Sequence, residues 1–319
     1  MFKSRLFMNL KGISNAFIPR FIFQKKLDKI FNEILKYKDS ELEYIATRVN
    51  YYNQIKNYFS IENHKENKIG KLPFKNTSYA YDAYEISKYF KDNFLWNKKF
   101  LDVNYTFSNP TICKSRPIKE SSNNILLNLD KNRHFVFIKD PLKFKEKKDI
   151  AIYRGAVYQE HRKEFFESYF NANFCDIGDT GKHNSPYKKN FLNKKEQTKY
   201  KFIISLEGND VATNLKWAMS SNSLVLSTKM TCETWFMEGK LKANEHFVLI
   251  DNENLLDTIN YFKQHPKQAI EIINNAHHHI SQFLNRKKEF HIGILVLAKY
   301  FYYSNQLEIN QKEILQIFQ

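Results

Sequence analysis

The stretch YKFIISLEGNDVATNLKWAMSSNSLVLST, from Tyr200 to Thr228, indicates the fold class of the chain. An apolar run ends at the turn EGND (residues 207–210), a helix-like segment follows, and the apolar run SLVLST closes the stretch. Short apolar runs that alternate with helical segments are typical of parallel sheets covered by helices. The stretch therefore predicts a strand–helix–strand unit of an α/β domain.

The same alternation continues on both sides of this stretch. RKEFFESYFN and ENLLDTINYFK have the apolar spacing of helices, and DIAIYRG has the composition of a strand. Between residues 98 and 152, the short runs KKFLDV, PTICKS, NILLNL and HFVFIKD predict further strands, and the basic segment KDPLKFKEKKD predicts a surface turn between domains. Residues 1–60 and the final portion are predicted to be mainly helical. A chain of 319 residues with this pattern predicts two domains.

The composition favours a polyanionic partner. Lys and Arg number 50 against 34 Asp and Glu, a formal net charge of +16 at pH 7. A basic chain attracts nucleic acid, an anionic membrane surface and phosphorylated substrates alike, and charge alone does not choose among these partners. The cysteines Cys113, Cys175 and Cys232 are far apart and form no zinc spacing, which predicts a reducing, cytoplasmic compartment.

The start of the chain, MFKSRLFMNLKGISNAFIPRFIFQKK, mixes Lys and Arg into apolar residues and lacks the unbroken apolar core of a signal peptide. This basic, Phe-rich segment could lie against anionic lipid head groups, or it could be a helix docked on the body of the protein. No uncharged apolar run is long enough to span a bilayer. A protein on the cytoplasmic side, with or without peripheral membrane contact, is expected.

The EGND turn has the chemistry of an anion site. Gly208 permits a positive φ and close backbone approach, and Asn209 or Asp210 can cap the following helix. The free N–H groups and the dipole of that helix would then favour a phosphate. A purely structural turn has the same pattern. The spacing is neither that of a dinucleotide-binding loop nor that of a P-loop.

A second strand-to-helix segment, AIYRGAVYQEHRKEFF, carries cations around a glycine. Arg154 and Gly155 lie at its turn and Arg162 in the following helix. Guanidinium groups bind phosphate oxygens in a bidentate manner, although isolated arginines are more often ordinary surface charges. Two glycine turns with two arginines in one α/β domain favour a nucleotide-diphosphate site.

Three segments, IYRGAVYQEHR, YKFIISLEGNDVATNLKWAMSSNSLVL and ETWFMEGKLKANEHFVLI, together resemble glycosyltransferase family 90. That family includes bacterial lipopolysaccharide A proteins and animal protein O-glucosyltransferases. YIATRVNYYNQI and PTICKSRPI resemble the bacterial branch in particular, so the resemblance covers most of the chain.

The resemblance implies a GT-B fold, in which two Rossmann-like domains face a cleft, here with helical N- and C-terminal additions. Residues 1–148 would form the N-terminal helical segment and the acceptor-binding domain. Residues 149–275 would bind the nucleotide sugar, and residues 276–319 would pack back toward the N-terminal domain. Transfer in the family inverts the anomeric centre and is expected to need neither metal nor cofactor. The implied partners are a UDP-sugar donor and a saccharide acceptor such as the lipopolysaccharide core.

The resemblance also assigns site residues. Asp102, ahead of PTICKS, is the best match to the family's catalytic Asp and would act as the general base. Lys114, Ser115 and Arg116 could contact a phosphorylated acceptor, with a solvated loop as the alternative. The expected nucleotide-sugar residues are Arg154, Gly155, Ala156, Arg162, Glu207, Gly208, Asn209, Asp210, Val211, Ala212, Thr213, Asn214, Lys216 and Glu233.

Two departures from the animal relatives concern this site. Ala156 replaces a Ser, and Asn214 replaces an Arg, so Lys216 or Arg154 would supply the missing positive charge. Glu233 or Glu207 could bind a sugar or ribose hydroxyl, or lie at the surface.

Several other features favour structural roles or different functions. CDIGD (residues 175–179) is predicted to be a loop, and His277, His278 and His279 are predicted to be surface or packing residues, because consecutive helical residues point to different faces. The alternative functions are a basic nucleic-acid-binding protein and a non-catalytic membrane-surface protein. The chain has no compact module of aromatic residues interleaved with Arg, which argues against nucleic acid.

Overall fold

The computed structural model describes residues 19–64, 67–70, 77–119 and 121–319. It divides into two units. The first unit comprises Met1–Asn132, Cys232–Trp235 and Asn285–Gln319, and the second comprises Arg133–Thr231 and Phe236–Leu284. The basic start of the chain, residues 1–18, lies outside the described residues, so its contact with lipid stays a prediction.

The first unit is mainly helical. Its helices are α1 (Arg20–Gln24), α2 (Leu27–Ile34), α3 (Asp39–Tyr52), α4 (Thr77–Ser87), α11 (Arg286–Tyr303) and α12 (Lys312–Ile317), with the short α5 (Lys131–His134) at its end. The 18-residue α11 is buried along most of its length, which explains its nearly continuous apolar sequence. Among the described helices, none is long and apolar enough to cross a membrane.

The strands of the first unit are short. β1 (Lys98–Lys99), β2 (Thr111–Cys113) and β4 (Asn124–Leu126) form a three-stranded parallel sheet in the order β1-β2-β4. β3 (Ser115–Pro117) pairs antiparallel with β9 (Cys232–Thr234), which comes from a distant part of the chain.

A buried ion-pair network holds β9 and Trp235 in the first unit. Arg48 on α3 bonds to both carboxylate oxygens of Glu289 on α11, at 2.6 and 3.1 Å. The indole Nε1–H of Trp235 donates to Glu289 at 2.6 Å, and the ring of Tyr52 stacks on the indole at 3.8 Å. Arg48 and Tyr52 of the segment YIATRVNYYNQI and Trp235 of the segment ETWFMEG, both part of the family resemblance, therefore have a structural role in this network.

The second unit contains a five-stranded parallel sheet in the order β10-β8-β7-β5-β6. The strands are β5 (Lys148–Gly155), β6 (Cys175–Asp179), β7 (Tyr200–Ser205), β8 (Leu224–Ser227) and β10 (Val248–Leu249). The helices are α6 (Glu160–Tyr169), α7 (Lys194–Gln197), α8 (Leu215–Met219), α9 (Leu255–Gln264) and α10 (Pro266–Ser281). The parallel α/β prediction for this part of the chain is confirmed.

Burial on both faces explains the apolar runs of this sheet. Phe202 and Ile204 of β7 belong to one hydrophobic cluster, and Ile203 between them is fully buried as well. Strands of parallel sheets that are covered on both faces lack polar alternation.

Three sequence-based assignments were wrong in whole or in part. HFVFIKD forms no strand, because its residues run from the end of α5 into a loop, and KKFLDV contributes only the two residues of β1. CDIGD, predicted to be a loop, is strand β6, in which Asp176 is neutralised by Arg154 and Lys189. KDPLKFKEKKD lies largely at the surface, as predicted, although Lys147 is buried in an ion pair with Asp140 at 2.5 Å.

Replacing Glu289 with Gln should lower the free energy of unfolding by about 3–5 kcal/mol, because it leaves the buried guanidinium of Arg48 without its counter-charge. Glu33→Gln is the matched control, since Glu33 pairs at 3.3 Å with the exposed Lys287 and solvent-exposed ion pairs contribute little to stability. Urea unfolding of both variants measures the difference. Equal losses of unfolding free energy in the two variants would contradict the central structural role of Glu289.

Candidate functional site

The loops that follow β5 and β7 lie side by side, because these two parallel strands are neighbours in the sheet. We call residues 156–159 the β5 loop and residues 206–214 the β7 loop. Ligands of open α/β sheets bind beyond the carboxyl ends of the strands, where such loops begin. Both glycine turns singled out in the sequence are therefore at this edge.

Arg162 joins the two loops. Its Nε–H and Nη2–H donate to the carbonyl oxygens of Glu207 and Leu206 at 2.7 and 2.8 Å, and Nη1–H donates to Ala156 at 2.6 Å. A guanidinium has five N–H donors. Two donors thus remain for other acceptors within the described part of the chain.

The start of α6 belongs to the same arrangement. Gln159, just before the helix, donates from Nε2 to Asn209 Oδ1 at 2.9 Å, and His161 Nε2 lies 2.9 Å from the carbonyl oxygen of Glu207. The first N–H groups of a helix have no partner within it. The free amide groups at the start of this ten-residue helix, which also carries Arg162, therefore lie at the junction of the two loops.

The geometry expected of the β7 loop itself was wrong. Gly208 has no positive φ, and the following helix α8 begins at Leu215 rather than directly after the turn. Neither Asn209 nor Asp210 caps it, because the N-cap position is occupied by Asn214. With five residues, α8 supplies little dipole, so the amide dipoles of this edge come from α6 instead.

Arg154 does not have the role expected of it. Its five donors are all occupied: two reach the carboxylate of Asp176 at 2.9 Å each, and three reach the carbonyl oxygens of Tyr153, Asp176 and Asn190. Burial alone would raise the pKa of Asp176, but the hydrogen bonds from Arg154 and Lys189 outweigh it and lower that pKa. Arg154 stabilises the β5–β6 pair and is not free to bind a diphosphate.

Lys216, which was expected to supply the missing positive charge, also has an internal partner. Lys216 is fully buried and forms an ion pair with Glu238. Asn214 holds the end of β7, since its amide donates to the carbonyl oxygen of Ile204 at 2.8 Å and its Oδ1 accepts from Ser205. Neither Lys216 nor Arg154 can replace the arginine of the animal relatives without breaking an internal ion pair.

The other residues predicted in the β7 loop separate into buried and exposed positions. Asp210, Val211 and Ala212 are buried, whereas Asn209 and Thr213 are exposed and Gly208 is half-buried. Ala156 contributes its carbonyl oxygen to Arg162. The accessible part of this loop is therefore the Gly208-Asn209 bend.

The two glutamates predicted to bind hydroxyl groups belong to different units. Glu207 accepts from the N–H and the hydroxyl of Thr231, at 3.0 and 2.6 Å, and remains partly exposed. Glu233 is buried, forms an ion pair with Arg116 at 2.8 Å and accepts from Tyr51 Oη. Glu233 therefore has a structural role within the first unit.

The first unit brings Asp102 and Lys114 together. Lys114 Nζ lies 2.6 Å from Asp102 Oδ1, and Tyr79 Oη donates to the same oxygen at 3.3 Å. Lys114 is buried, whereas the side chain of Asp102 retains 28% of its exposed area, so the carboxylate is fixed in position and still accessible. A positioned, accessible carboxylate is what a general base requires.

Ser115 and Arg116 are not available at a surface. Ser115 is buried and accepts the N–H of Val103, and Arg116 is buried among Glu233 and the carbonyl oxygens of Asn124 and Tyr51. The prediction that they contact an acceptor, like the alternative of a solvated loop, conflicts with this burial.

The three consecutive histidines point in different directions. His277 lies 2.8 Å from the carbonyl oxygen of Ser221, His279 is buried 2.9 Å from that of Phe236, and His278 is exposed. Within the described ranges, no group of three or more His, Cys, Asp or Glu is placed to hold a metal ion.

Sequence reasoning missed Gln159 and His161, which bridge to the β7 loop, and Asp176, which occupies Arg154. Gln159 and His161 lie between Gly155 and Arg162, so their place in the turn was a signal. Asp176 offered none, because its contact with Arg154 depends on the pairing of β5 with β6.

Comparison with known proteins identifies the family of this chain. Residues 128–315 match the model of glycosyl transferase family 90. An O-glucosyltransferase LpsA from Dichelobacter nodosus is 39% identical over 262 residues, which cover 81% of this chain and 82% of that relative. The chain belongs to glycosyltransferase family 90, as its sequence resemblance indicated. Its similarity to a bacterial LpsA supports the bacterial branch of that family.

The two glycines of the site should respond differently to alanine. A Cβ on Gly155 would lie 2.6 Å from the hydroxyl of the buried Tyr153, so Gly155→Ala should cost about 1–3 kcal/mol of unfolding free energy. A Cβ on Gly208 would meet Arg162 Nη2 at an ordinary 3.4 Å, so Gly208→Ala should change stability by less than about 1 kcal/mol. Urea unfolding measures both. A Gly208 variant less stable than the Gly155 variant would contradict the geometry.

Proposed function

We propose that this protein is an inverting glycosyltransferase that moves a hexose or pentose from a UDP-sugar to a saccharide acceptor, the lipopolysaccharide core or another anionic saccharide. The observation that carries the proposal is Arg162 at the junction of the β5 and β7 loops, where the described residues occupy three of its five donors. Its charge and the amides at the start of α6 would stabilise the departing diphosphate, where negative charge develops in the transition state.

The β7 loop would complete the donor site. Gly208 lies directly beside Arg162 Nη2, and the absence of a side chain there leaves room for a phosphate oxygen. Asn209, held by Gln159, and the partly exposed Glu207 would offer hydrogen bonds to donor hydroxyl groups. The site would act without a bound metal or other cofactor.

Asp102 would act as the general base in the first unit. The acceptor hydroxyl would give its proton to the Asp102 carboxylate while its oxygen forms a bond to the anomeric carbon. The bond between that carbon and the diphosphate oxygen breaks, and UDP leaves with the electron pair. Lys114 would hold the carboxylate in place through its 2.6 Å ion pair.

We propose the GT-B arrangement for the two units, with the acceptor bound by the first and the donor by the second. The protein would act in the cytoplasm, at times in peripheral contact with anionic lipid. The start of α1 supports that contact, because Phe21 and Ile22 are exposed next to Lys25 and Lys26.

Asp102→Asn should abolish sugar transfer while the protein still binds UDP, because the amide cannot accept the proton and the donor site is unchanged. UDP release is measured with a panel of nucleotide sugars and truncated lipopolysaccharide as acceptor, and UDP binding by calorimetry. Transfer at the wild-type rate in this variant would remove Asp102 from the role. A wild-type protein that neither binds UDP nor releases it from any UDP-sugar would contradict the function itself.

The matched control is Asp92→Asn. Asp92 is another ion-paired aspartate of the first unit, 2.5 Å from Arg20. Its loss should leave transfer unchanged. If both variants lose transfer together, the effect belongs to the stability of the first unit.

Gly208→Ala should weaken UDP binding although the protein stays folded, because the added methyl group occupies the space beside Arg162 Nη2. Calorimetric titration with UDP measures the change, and we expect a loss of about tenfold or more, equivalent to about 1.4 kcal/mol. Unchanged affinity would place the diphosphate elsewhere.

A further inference from the structure

A second cluster borders the β5 loop on the side of β6. Asp179 ends β6 and lies opposite Gly155 in the parallel register. Its buried carboxylate accepts the N–H of Gly181 at 2.7 Å and that of Val157 at 3.3 Å. The β5 loop is thus attached to the β6 side of the sheet through Asp179, and to the β7 loop through Arg162.

Asp179 also positions a histidine. His183 Nε2 lies 3.1 Å from Asp179 Oδ2. A Cβ on Gly181 would come within 2.8 Å of His183 Nδ1, so the glycine lets the imidazole pack against the turn. Burial would raise the pKa of Asp179, but the hydrogen bonds from the Gly181 N–H and the Ser185 hydroxyl and the electrostatic influence of His183 and Lys188 outweigh it and lower that pKa.

The histidine in turn supports an exposed tyrosine. Tyr158 of the β5 loop packs on the imidazole of His183 with ring centroids 4.4 Å apart, and its hydroxyl accepts the N–H of Lys182 at 3.1 Å. Although fixed at both its ring and its hydroxyl, Tyr158 leaves 52% of its surface exposed. Exposed aromatic side chains are usually mobile, so a ring held in this way is preorganised for contact.

The ring of Tyr158 is close in the chain to the residues of the proposed diphosphate site. Tyr158 precedes Gln159, which contacts Asn209 beside the Gly208 bend. A nucleoside diphosphate held at Arg162 by its phosphates needs a surface for its base within the reach of the connecting ribose. Flat aromatic rings bind bases by stacking, with little dependence on hydrogen-bond pattern.

We propose that Tyr158 is the surface on which the base of the nucleotide donor stacks, and that Asp179 and His183 position it. The assignment rests on the function proposed above, and adds the base-contacting residue to its donor site. The β5 loop then serves both ends of the nucleotide, with Tyr158 for the base and the Ala156–Arg162 contact for the diphosphate.

The test compares UDP with inorganic pyrophosphate as calorimetric probes of the full chain. Tyr158→Ala should weaken UDP binding by roughly tenfold, because the base loses the aromatic ring on which it stacks. Pyrophosphate affinity should be unchanged, because the phosphate contacts remain. Tyr158→Phe keeps the ring and should bind UDP within about twofold of wild type.

Phe191→Ala is the matched control. Phe191 is another exposed aromatic residue of the second unit, 73% exposed, in the connection between β6 and α7. It should bind both probes as the wild type does. Loss of UDP affinity in this variant equal to that in Tyr158→Ala would overturn a specific role for Tyr158.

Other outcomes would also overturn the inference. If UDP binds wild type and Tyr158→Ala equally while a UDP-sugar binds the variant less well, the ring contacts the sugar and not the base. If pyrophosphate affinity falls as much as UDP affinity, Tyr158 supports only the loop. If the wild type binds no UDP at all, the proposed function fails first and the base assignment fails with it.

Discussion

The arrangement of the candidate site depends on one side chain, Arg162, which holds three backbone carbonyl oxygens from two loops. Those carbonyls lie beyond neighbouring parallel strands, where irregular backbone would otherwise leave its polar groups without partners. Hydrogen bonds from a charged donor contribute about 1.5–3 kcal/mol each. This buried cation therefore fixes both loops at the carboxyl edge of the sheet.

Other cations that the sequence predicts to bind phosphate groups have internal roles. Arg154 binds Asp176, Lys216 binds Glu238, and Arg116 binds Glu233, each at a buried or nearly buried position. Separating such a pair to bind a phosphate would leave a charge uncompensated, which costs several kcal/mol. These three cations therefore maintain the two units, whereas Arg162 is bonded only to backbone carbonyl oxygens among the described residues.

Much of the second unit could be predicted from sequence, since strands covered on both faces appear as apolar runs such as KFIIS and SLVLS. β6 could not, because its carboxylates are typical of loops and their partners come from β5 and the following connection. The first unit was less predictable. Its strands have two or three residues, and β3 pairs with β9, which comes from a distant part of the chain.

The site residues divide in the same way. Arg162 and Gly208 could be found from glycine turns and the family pattern, because both belong to local strand-to-helix segments. The ion pairs of Arg154, Lys216 and Glu233 could not be predicted from the sequence, since each depends on a partner that folding brings close. Local turn chemistry indicates where a ligand binds, and long-range pairing decides which charges remain to bind it.

A crystal structure of the complex with UDP tests the central claim most directly. A diphosphate oxygen should lie about 3 Å from a guanidinium nitrogen of Arg162, beside the Gly208 bend, with the three carbonyl contacts of Arg162 retained. A diphosphate bound elsewhere, with no oxygen in reach of Arg162, would contradict the account.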